Sequence, residues 1–521
     1  MGRRITICLL LLGVLVALPF YFRSDEKLAP PENDCDVVVV VSAHNKNIRD
    51  EYETAFRKHY RERYGRDVRI DFRSPGGTSD ISRYINDRFL NEFRLAFEAD
   101  KSNGKWQSGY GAVFNDPRQA SHPVRQKFLA SNVGIGIDVF AGGGVFEQRR
   151  MAERGYAVDG KVFERHPEYF RPGAIPAEFG GDVIYDKQGR FYGVVLSTFG
   201  IICNFDRLKE LADSRVPQRW HDLADARFFN NIVLADPSKS GSANKCFEIM
   251  VQQCMAQAGE PSEGWENGLN LLKKIFANAR NITDSASKVV GDVASGEAAA
   301  GTAIDTYGFA EVLWSSHRFG EAKVAYITPA GGTAVSADPV QILRGAPNRV
   351  VAERFVDFLL SPEGQKMHCF KAGTPGGPEK NTLSRPPVYQ ELYKKEYQQY
   401  MFRSDYNPYA SGADFHYRPQ WTGRYYSLLS RVIKSIMLDP RQELQAAWRA
   451  ILCAGGVEKV PEAMKYFNKL PFKYCDAGDA AAALRVSEKN SPAQVAAVLR
   501  QWSTDAAANY RMAEKLAKEG R

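Results

Sequence analysis

The chain has 521 residues, of which 44% are hydrophobic and 25% are charged, and its formal net charge is +8. A chain of this length is too long for one hydrophobic core and is expected to form at least two lobes. The positive charge is spread along the chain without any run of five basic residues, which excludes nucleic acid as the expected partner.

The amino terminus is typical of an exported protein. Residues 5–22 are almost all apolar and follow Arg3 and Arg4. This run of about 18 residues is long enough to span a bilayer. Residues 1–27 are therefore predicted to be a signal peptide or an N-terminal membrane anchor, and the absence of a small-residue cleavage site favours the anchor. The remaining sequence contains no second apolar run of this length, which excludes a channel or permease.

The cysteines indicate neither a metal site nor a complete set of disulfides. Seven cysteines follow the leader, an odd number, and none has the spacing of a zinc site. In an oxidising compartment, Cys453 and Cys475 are the first pair that we would expect to form a disulfide.

The first elements predict a parallel sheet. Residues 37–41 are five consecutive valines, an apolar run of strand length that is typical of a strand buried on both faces. An amphipathic helix follows, with Ile48, Tyr52 and Phe56 on one stripe, and residues 67–73 supply a second strand. A strand, a helix and a strand in this order form a βαβ unit.

The second strand leads into a hydroxyl-rich helix start. The chain turns at Gly76 and Gly77 and enters the helix through Thr78 and Ser79. Such a turn lies at the carboxyl end of a strand, where open α/β sheets bind ligands. Residues 86–133 are then polar and are predicted to be an irregular insertion on the surface.

A second start of this kind lies in the segment LADPSKSGSANK, residues 234–245. The first N–H groups of a helix lack internal partners and carry partial positive charge, so this end can bind an anion. Alternatively, Ser240 or Ser242 only caps its own helix.

The order of several longer motifs carries a family resemblance. The segments DVFAGGG, YGVVLSTFGIICNFDRL, GDVASGEAAAGTAIDTYG and AERFVDFLLSPEGQK follow one another with LADPSKSGSANK among them. This succession, over about residues 36–366, resembles the periplasmic solute-binding proteins of bacterial ABC importers, especially the ferric-iron type. The resemblance implies an α/β, two-lobed type 2 periplasmic-binding-protein fold, also called a Venus flytrap. It also implies a ligand in the interlobe cleft, delivery to an ABC permease, and no cofactor.

The predicted organisation has three parts. Residues 36–195 together with 330–370 form lobe 1, and residues 196–329 form lobe 2. Residues 371–521 are a mainly helical C-terminal region that packs on the lobes. In that region, Leu428, Leu429, Val432 and Ile436 form one helical stripe.

The predicted ligand-binding residues come from both lobes. From lobe 1 they are Ser42, His44, Asn45, Gly77, Thr78 and Ser79. From lobe 2 they are Ser240, Gly241, Ser242, Asn244, Asp305 and Tyr307.

The identity of the ligand stays open between two classes. The resemblance places His44 near a histidine ligand of the iron-binding members and Tyr307 in their tyrosine region. However, this region reads Asp-Thr-Tyr-Gly-Phe without adjacent tyrosines, and DVFAGGG has glycines where a carboxylate is expected. Fe(III) prefers several phenolate and carboxylate oxygens. A small anionic or phosphorylated solute is therefore favoured over ferric iron. The pair Tyr425 and Tyr426 is interpreted as aromatic packing at a helix start.

The sequence lacks the motifs of common enzyme classes, among them G-x-S-x-G, the P-loop and H-E-x-x-H. We therefore expect a monomeric periplasmic binding protein rather than an enzyme, tethered to the inner membrane if its N-terminal segment is uncleaved. The alternatives are a cleft-containing enzyme and a membrane-tethered ligand sensor on the same fold.

Overall fold

The computed structural model describes residues 35–486 and 490–521, so the predicted signal peptide or anchor at residues 1–27 lies outside the described residues. In the first half of the chain, the strands and α-helices are β1 Asp36–Ser42, α1 Lys46–Tyr64, β2 Val68–Arg73, α2 Thr78–Ala99, α3 Tyr110–Asn115, α4 Pro123–Ala130, β3 Val139–Ala141, α5 Gly144–Arg154, β4 Ala157–Val158, α6 Val162–Arg165, β5 Glu178–Phe179, β6 Asp182–Val183, β7 Tyr192–Ser197, β8 Phe199–Asn204, α7 Phe205–Lys209, β9 Ile232–Ala235 and α8 Gly241–Gln257.

The second half of the chain is richer in helix. Its elements are α9 Pro261–Ala277, β10 Ala279–Thr283, α10 Ala286–Ala294, β11 Ala300–Ile304, α11 Asp305–Phe319, β12 Val324–Ile327, β13 Ser336–Leu343, α12 Arg349–Leu360, α13 Pro362–Cys369, α14 Pro408–Ser411, α15 Pro419–Thr422, α16 Tyr426–Ile433, α17 Arg441–Cys453, α18 Pro461–Phe467, α19 Ala477–Ala483 and α20 Pro492–Lys518.

The first sheet has the strand order β2-β1-β3-β13-β4, with β7 paired to β13. Strand β1 runs parallel to β2, with Asp36 opposite Val68, and parallel to β3, with Val40 opposite Val139. The valine run of β1 is buried because helices cover both faces of the sheet. The predicted βαβ unit is thus present, and β13 joins it antiparallel to β3.

The second sheet has the order β10-β9-β11-β8-β12. The chain leaves the first sheet after β7 and enters the second at β8, with only Thr198 between them. It returns between β12 and β13. Each sheet has its own hydrophobic core. The two-lobed α/β architecture predicted from the sequence is confirmed.

The prediction of an irregular insertion at residues 86–133 is wrong over its first part, because α2 continues to Ala99. Phe89, Phe93 and Phe97 lie four residues apart on one face of α2 and are buried. They pack with Phe114 and Phe128, and the Phe93 and Phe114 ring centroids are 5.5 Å apart. This aromatic face, hidden among polar residues, stabilises the segment as part of the first lobe.

The C-terminal region packs on both lobes and connects them a third time. Residues from Leu383 to Tyr406 belong to the core of the first lobe, and residues from Phe415 to Ala517 belong to the core of the second. This third connection passes Thr198, and a hydrogen bond from the Tyr406 hydroxyl to the Asp305 carboxylate at 3.0 Å holds it there. The region is therefore an integral part of both lobes.

Two further sequence expectations concern cysteines and membrane spans. The seven cysteines of the described residues are all free, and the predicted pair Cys453 and Cys475 is exposed and unbridged. Over residues 35–486 and 490–521, no helix has the length and apolar character needed to span a bilayer.

A buried lysine joins the C-terminal region to α9 and gives a pH-dependent prediction. Lys273 is fully buried, and its ammonium donates to the carbonyls of Phe467 at 2.9 Å and Lys469 at 2.6 Å. Burial lowers the pKa of Lys273 to about 7. Above pH 7 the unfolded chain binds this proton and the folded protein releases it, so stability rises with pH.

From pH 7 to pH 9, Lys273 should raise the free energy of unfolding by about 2 kcal/mol. We expect Lys273→Met to lack this increment in urea unfolding measured at both pH values. An identical pH dependence in the variant and the wild type would contradict the assignment.

Candidate ligand-binding cleft

A cavity of about 450 Å³ lies between the lobes. Its walls come from the first lobe, the second lobe and the C-terminal region. Of the residues predicted from the sequence, those that line it are His44, Thr78, Gly241, Ser242 and Tyr307.

Four helices begin at this cavity. Thr78 begins α2, Gly144 begins α5, Gly241 begins α8, and Thr306 and Tyr307 lie in the first turn of α11. Two of these starts already bind carboxylates, since the Thr306 N–H donates to Asp305 at 2.7 Å and the Gly144 N–H is hydrogen-bonded to Asp338. The starts of α2 and α8 add N–H groups and partial positive charge, which makes the cavity attractive to anions.

The predicted starts of α2 and α8 face each other across the cleft. A Cβ built on Gly241 would lie 3.7 Å from the Cβ of Thr78. A Cβ on Gly77 would lie 2.9 Å from the carbonyl oxygen of Lys239. The two hydroxyl-rich segments singled out in the sequence are therefore neighbours in space, one from each lobe.

The start of α5 was not predicted as part of the site. Gly142, Gly143 and Gly144 all have positive φ angles, 92°, 93° and 77°. A Cβ on Gly143 would lie 2.7 Å from the Phe140 ring and 2.8 Å from Thr78 Cγ2. Glycine is required here because the backbone itself forms the cavity wall. The glycines of DVFAGGG thus replace a side-chain ligand by a helix start.

His44 belongs to a buried charged cluster. Its Nε2 lies 2.8 Å from Asp338 Oδ2 and 3.2 Å from Arg385 Nη2, and Arg385 also pairs with Asp338. Burial lowers the pKa of His44, and the charge of Arg385 lowers it further, so the imidazole is neutral at pH 7. Although burial raises the pKa of Asp338, its contacts with His44 and Arg385 lower it overall.

This cluster does not fit a metal site. Arg385 places a cation on both groups that would have to bind the ion, His44 and Asp338. Burial and Asp338 raise the pKa of the nearby Tyr307, which opposes the phenolate that Fe(III) requires. Within the described parts of the chain, no three His, Cys, Asp or Glu side chains are grouped so that they could hold a metal ion.

A second ion-pair cluster that lines the cavity also links the lobes. Lys245 of α8 lies 3.4 Å from Asp182 of the first lobe and 3.3 Å from Glu248. Burial opposes its charge, but the two carboxylates raise the pKa of Lys245 above its usual value. The Tyr417 hydroxyl donates to Glu248 at 2.9 Å. Lys245 is thus already neutralised within the protein.

Several predicted site residues have structural roles and do not line the cavity. In lobe 1, Ser42 Oγ accepts the His44 N–H at 3.0 Å, and Asn45 caps α1 through the Ile48 N–H at 3.1 Å. Gly77 is bound to Asp80 by its own N–H at 3.2 Å, and Ser79 is half-buried outside the cavity. Their polar groups are directed to the local backbone or away from the cleft.

The same holds for three predicted residues of lobe 2. Ser240 caps α8 by accepting the Ala243 N–H at 3.3 Å, and Asn244 donates to the Tyr426 carbonyl at 3.0 Å. Asp305 is fully buried at the lobe crossing, where burial raises its pKa to about 6. Ser240 is thus the cap of α8, as one interpretation predicts, whereas Ser242 lines the cavity and its role as an anion ligand stays a prediction.

The C-terminal region supplies site residues that the sequence did not reveal. Arg385, Tyr417 and Tyr426 line the cavity. The Tyr426 hydroxyl donates to the Gly241 carbonyl at 2.6 Å, and its ring lies 4.1 Å from that of Phe146. The interpretation of Tyr426 as aromatic packing at a helix start is therefore confirmed, and the same side chain also borders the cavity. The tyrosine-rich composition of residues 388–426 was the available signal.

Comparison with known proteins finds a family that part of the chain resembles. Residues 161–393 match the family model of the bacterial extracellular solute-binding proteins. This segment is less than half of the chain and is similar to the solute-binding domain of that family. The resemblance stated from the sequence is confirmed, and the matched segment of this domain includes Ser242, Tyr307 and Arg385.

Two relatives of the solute-binding domain match parts of the chain. An uncharacterised protein of Haemophilus influenzae is 29% identical over 252 residues, which are 48% of this chain and 66% of that protein. The phosphoglycerate transport regulatory protein PgtC of Salmonella typhimurium is 26% identical over 174 residues, 33% of this chain and 39% of PgtC. The matches thus span less than two thirds of either relative.

Solved periplasmic binding proteins are similar over most of their length. AfuA of Actinobacillus pleuropneumoniae, with bound fructose-6-phosphate, is 20% identical with a TM-score of 0.47, over 75% of this chain and 98% of AfuA. Iron-bound HitA of Pseudomonas aeruginosa is 14% identical with a TM-score of 0.48, over 76% of this chain and 98% of HitA.

Proposed function

We propose that this protein is the periplasmic solute-binding component of an ABC importer and that it binds a small phosphorylated organic anion between its lobes. It then delivers the solute to a permease in the inner membrane. The N-terminal segment tethers the protein to that membrane if it is uncleaved.

The convergence of four helix starts on one cavity carries this proposal. Thr78 and Gly241 begin helices of the two lobes at the same space, and the helices that begin at Gly144 and near Thr306 add their dipoles, although the N–H groups of these two residues bind Asp338 and Asp305. Phosphate groups bind at such positions because backbone N–H groups and helix dipoles favour negative charge. The names of PgtC and of the AfuA complex refer to phosphorylated solutes, in agreement with this chemistry.

Ferric iron is the alternative cargo, and the cavity walls disfavour it. The resemblance relates His44 to a metal ligand of the iron-binding members, and Arg385 contacts both His44 and the neighbouring Asp338. A trivalent cation would have to displace or approach this guanidinium, at a high electrostatic cost.

A ligand panel tests the proposal. Isothermal titration calorimetry and thermal unfolding should be run with 3-phosphoglycerate, fructose 6-phosphate and inorganic phosphate, and with glycerate and fructose as unphosphorylated controls. We expect at least one phosphorylated compound to bind with 1:1 stoichiometry and raise the melting temperature. Stabilisation by ferric citrate alone, with a visible phenolate-to-iron band, would contradict the proposal.

The same panel separates binding from catalysis and from signalling. A transport protein returns the bound compound unchanged, whereas an enzyme on this fold would convert it. A membrane-tethered sensor would bind the solute without supporting its uptake, which transport measurements in a strain lacking the protein would reveal.

The α8 start gives a sharp test at the level of single residues. Ser242→Ala should weaken binding of the phosphorylated ligand about ten- to a hundredfold, because a hydrogen bond to a charged acceptor contributes about 1.5–3 kcal/mol. The melting temperature of the empty protein should change little.

Ser240→Ala is the matched control. Ser240 caps the same helix without lining the cavity. Its replacement should cost about 1 kcal/mol of stability and leave affinity unchanged. Equal effects of the two substitutions on affinity would show that neither serine contacts the ligand directly.

A further inference from the structure

Two arginines that line the cavity form no ion pair with a described residue. Within the described part of the chain, the guanidinium groups of Arg149 and Arg424 form no ion pair and no hydrogen bond. Arg149 is half-buried in α5, and Arg424 is exposed, with its guanidinium 4.6 Å from the Tyr425 ring centroid. By contrast, the adjacent Arg150 pairs with Glu147 at 2.8 Å.

We infer that Arg149 and Arg424 clamp the anionic group of the ligand from opposite sides of the cleft and distinguish a doubly charged phosphoryl group from a singly charged one. This inference rests on the proposed function. It assigns to Arg149 and Arg424 a preference for the charge of the ligand, which the helix starts alone do not provide.

The positions of the two residues support a clamp. Arg149 belongs to the first lobe, and its side chain, like others in an α-helix, leans back towards the helix start at Gly144. Arg424 belongs to the C-terminal region that packs on the second lobe. A ligand that contacts both arginines therefore bridges the two lobes.

The two arginines without an ion pair, Arg149 and Arg424, favour a doubly charged ligand. The other cations of the cavity wall, Arg150, Lys245 and Arg385, pair with carboxylates. Within the described residues, Arg149 and Arg424 form no ion pair, and the exposed carboxylate of Glu153 also lines the cavity and lowers the net charge of the wall. A phosphoryl group carries a charge of about −1.5 to −2 at pH 7 and accepts bidentate hydrogen bonds from guanidinium. A monoanion would neutralise only one of the two.

Both arginines lie outside the segment that matches the family model, which spans residues 161–393. The matched segment supplies Ser242, Tyr307 and Arg385, and the flanking chain supplies Arg149 and Arg424. The preference for the charge of the ligand is thus a property of parts of this chain that the family model does not cover.

The test measures the affinity for 3-phosphoglycerate by calorimetry in four single variants. Arg149→Gln and Arg424→Gln should each weaken binding at least tenfold. Arg154→Gln removes the same charge from α5 at a residue that does not line the cavity, and Arg418→Gln removes it beside Trp421, also outside the cavity. These two controls should change affinity less than threefold. Unchanged melting curves of the empty variants establish that all four are folded.

A pH series tests whether the affinity depends on the charge of the phosphoryl group. Since the second phosphoryl pKa is about 6, lowering the pH from 7.5 to 5 converts the dianion to a monoanion. Wild-type affinity should fall over this range, and the fall should be smaller in Arg149→Gln and Arg424→Gln.

Two results would overturn the inference. If wild type binds 3-phosphoglycerate and the variants Arg149→Gln and Arg424→Gln bind it equally well, the clamp is wrong and the proposed function stands. If wild type binds none of the phosphorylated compounds of the panel, the proposed function and the clamp both fail.

Discussion

Asp338→Ala should lower the free energy of unfolding by about 3 kcal/mol, because it leaves the buried guanidinium of Arg385 without a counter-charge. Arg385 is 3% exposed and depends on Asp338 for charge balance. Its remaining partners, the Tyr52 hydroxyl at 2.6 Å and His44, are neutral. We place the effect at the lower end of the range for buried pairs, since Arg385 borders the cavity and water can reach it.

Urea unfolding followed by circular dichroism measures this loss. The double variant Asp338→Ala with Arg385→Met is the control, because removing both charges avoids an uncompensated cation. It should be more stable than Asp338→Ala alone. If the single and the double variant are equally unstable, the charge balance of Arg385 is not the cause.

Gly181→Ala should destabilise the protein by about 2–4 kcal/mol, because the strain of a positive φ adds to a steric overlap. Gly181 has φ +84°, and a Cβ there would overlap the carbonyl oxygen of Tyr417. Next to it, the Tyr417 N–H donates to the Gly180 carbonyl at 2.7 Å. The substitution therefore forces the C-terminal region away from the first lobe.

Gly173→Ala separates the two causes. Gly173 has φ +83°, almost the same as Gly181, and a Cβ there would meet nothing within 4 Å. Gly173→Ala should lower the free energy of unfolding only by the conformational strain, about 1–2 kcal/mol. Limited proteolysis should cleave the C-terminal region faster in Gly181→Ala than in Gly173→Ala. Equal stability and equal cleavage of the two variants would show that this contact does not hold the region in place.

The sequence by itself determined the two-lobed fold and three of the four helix starts at the site. The valine run of β1 and the stripe of Ile48, Tyr52 and Phe56 fix the βαβ unit by local periodicity, which is readable without a structure. Thr78 and Ser242 were found because turn glycines and hydroxyl groups mark helix starts after strands. These signals are local in the chain.

The tertiary structure alone decided which polar groups reach the cavity. Ser240 and Ser242 are chemically identical and two residues apart, yet one caps α8 and the other lines the cleft. Asp305 lies beside the site in sequence and is buried at the lobe crossing. The direction of a side chain depends on the packing of neighbouring elements, which a single sequence does not show.

For the same reason, the sequence did not predict that the C-terminal region contributes residues to the cavity. Arg385 pairs with Asp338 across 47 residues, and Tyr426 contacts Gly241 across 185 residues. No local pattern connects such distant positions, and the aromatic residues of this region are equally typical of a core. Only the fold brings them to the interlobe cavity, where burial and charge pairing give them their roles.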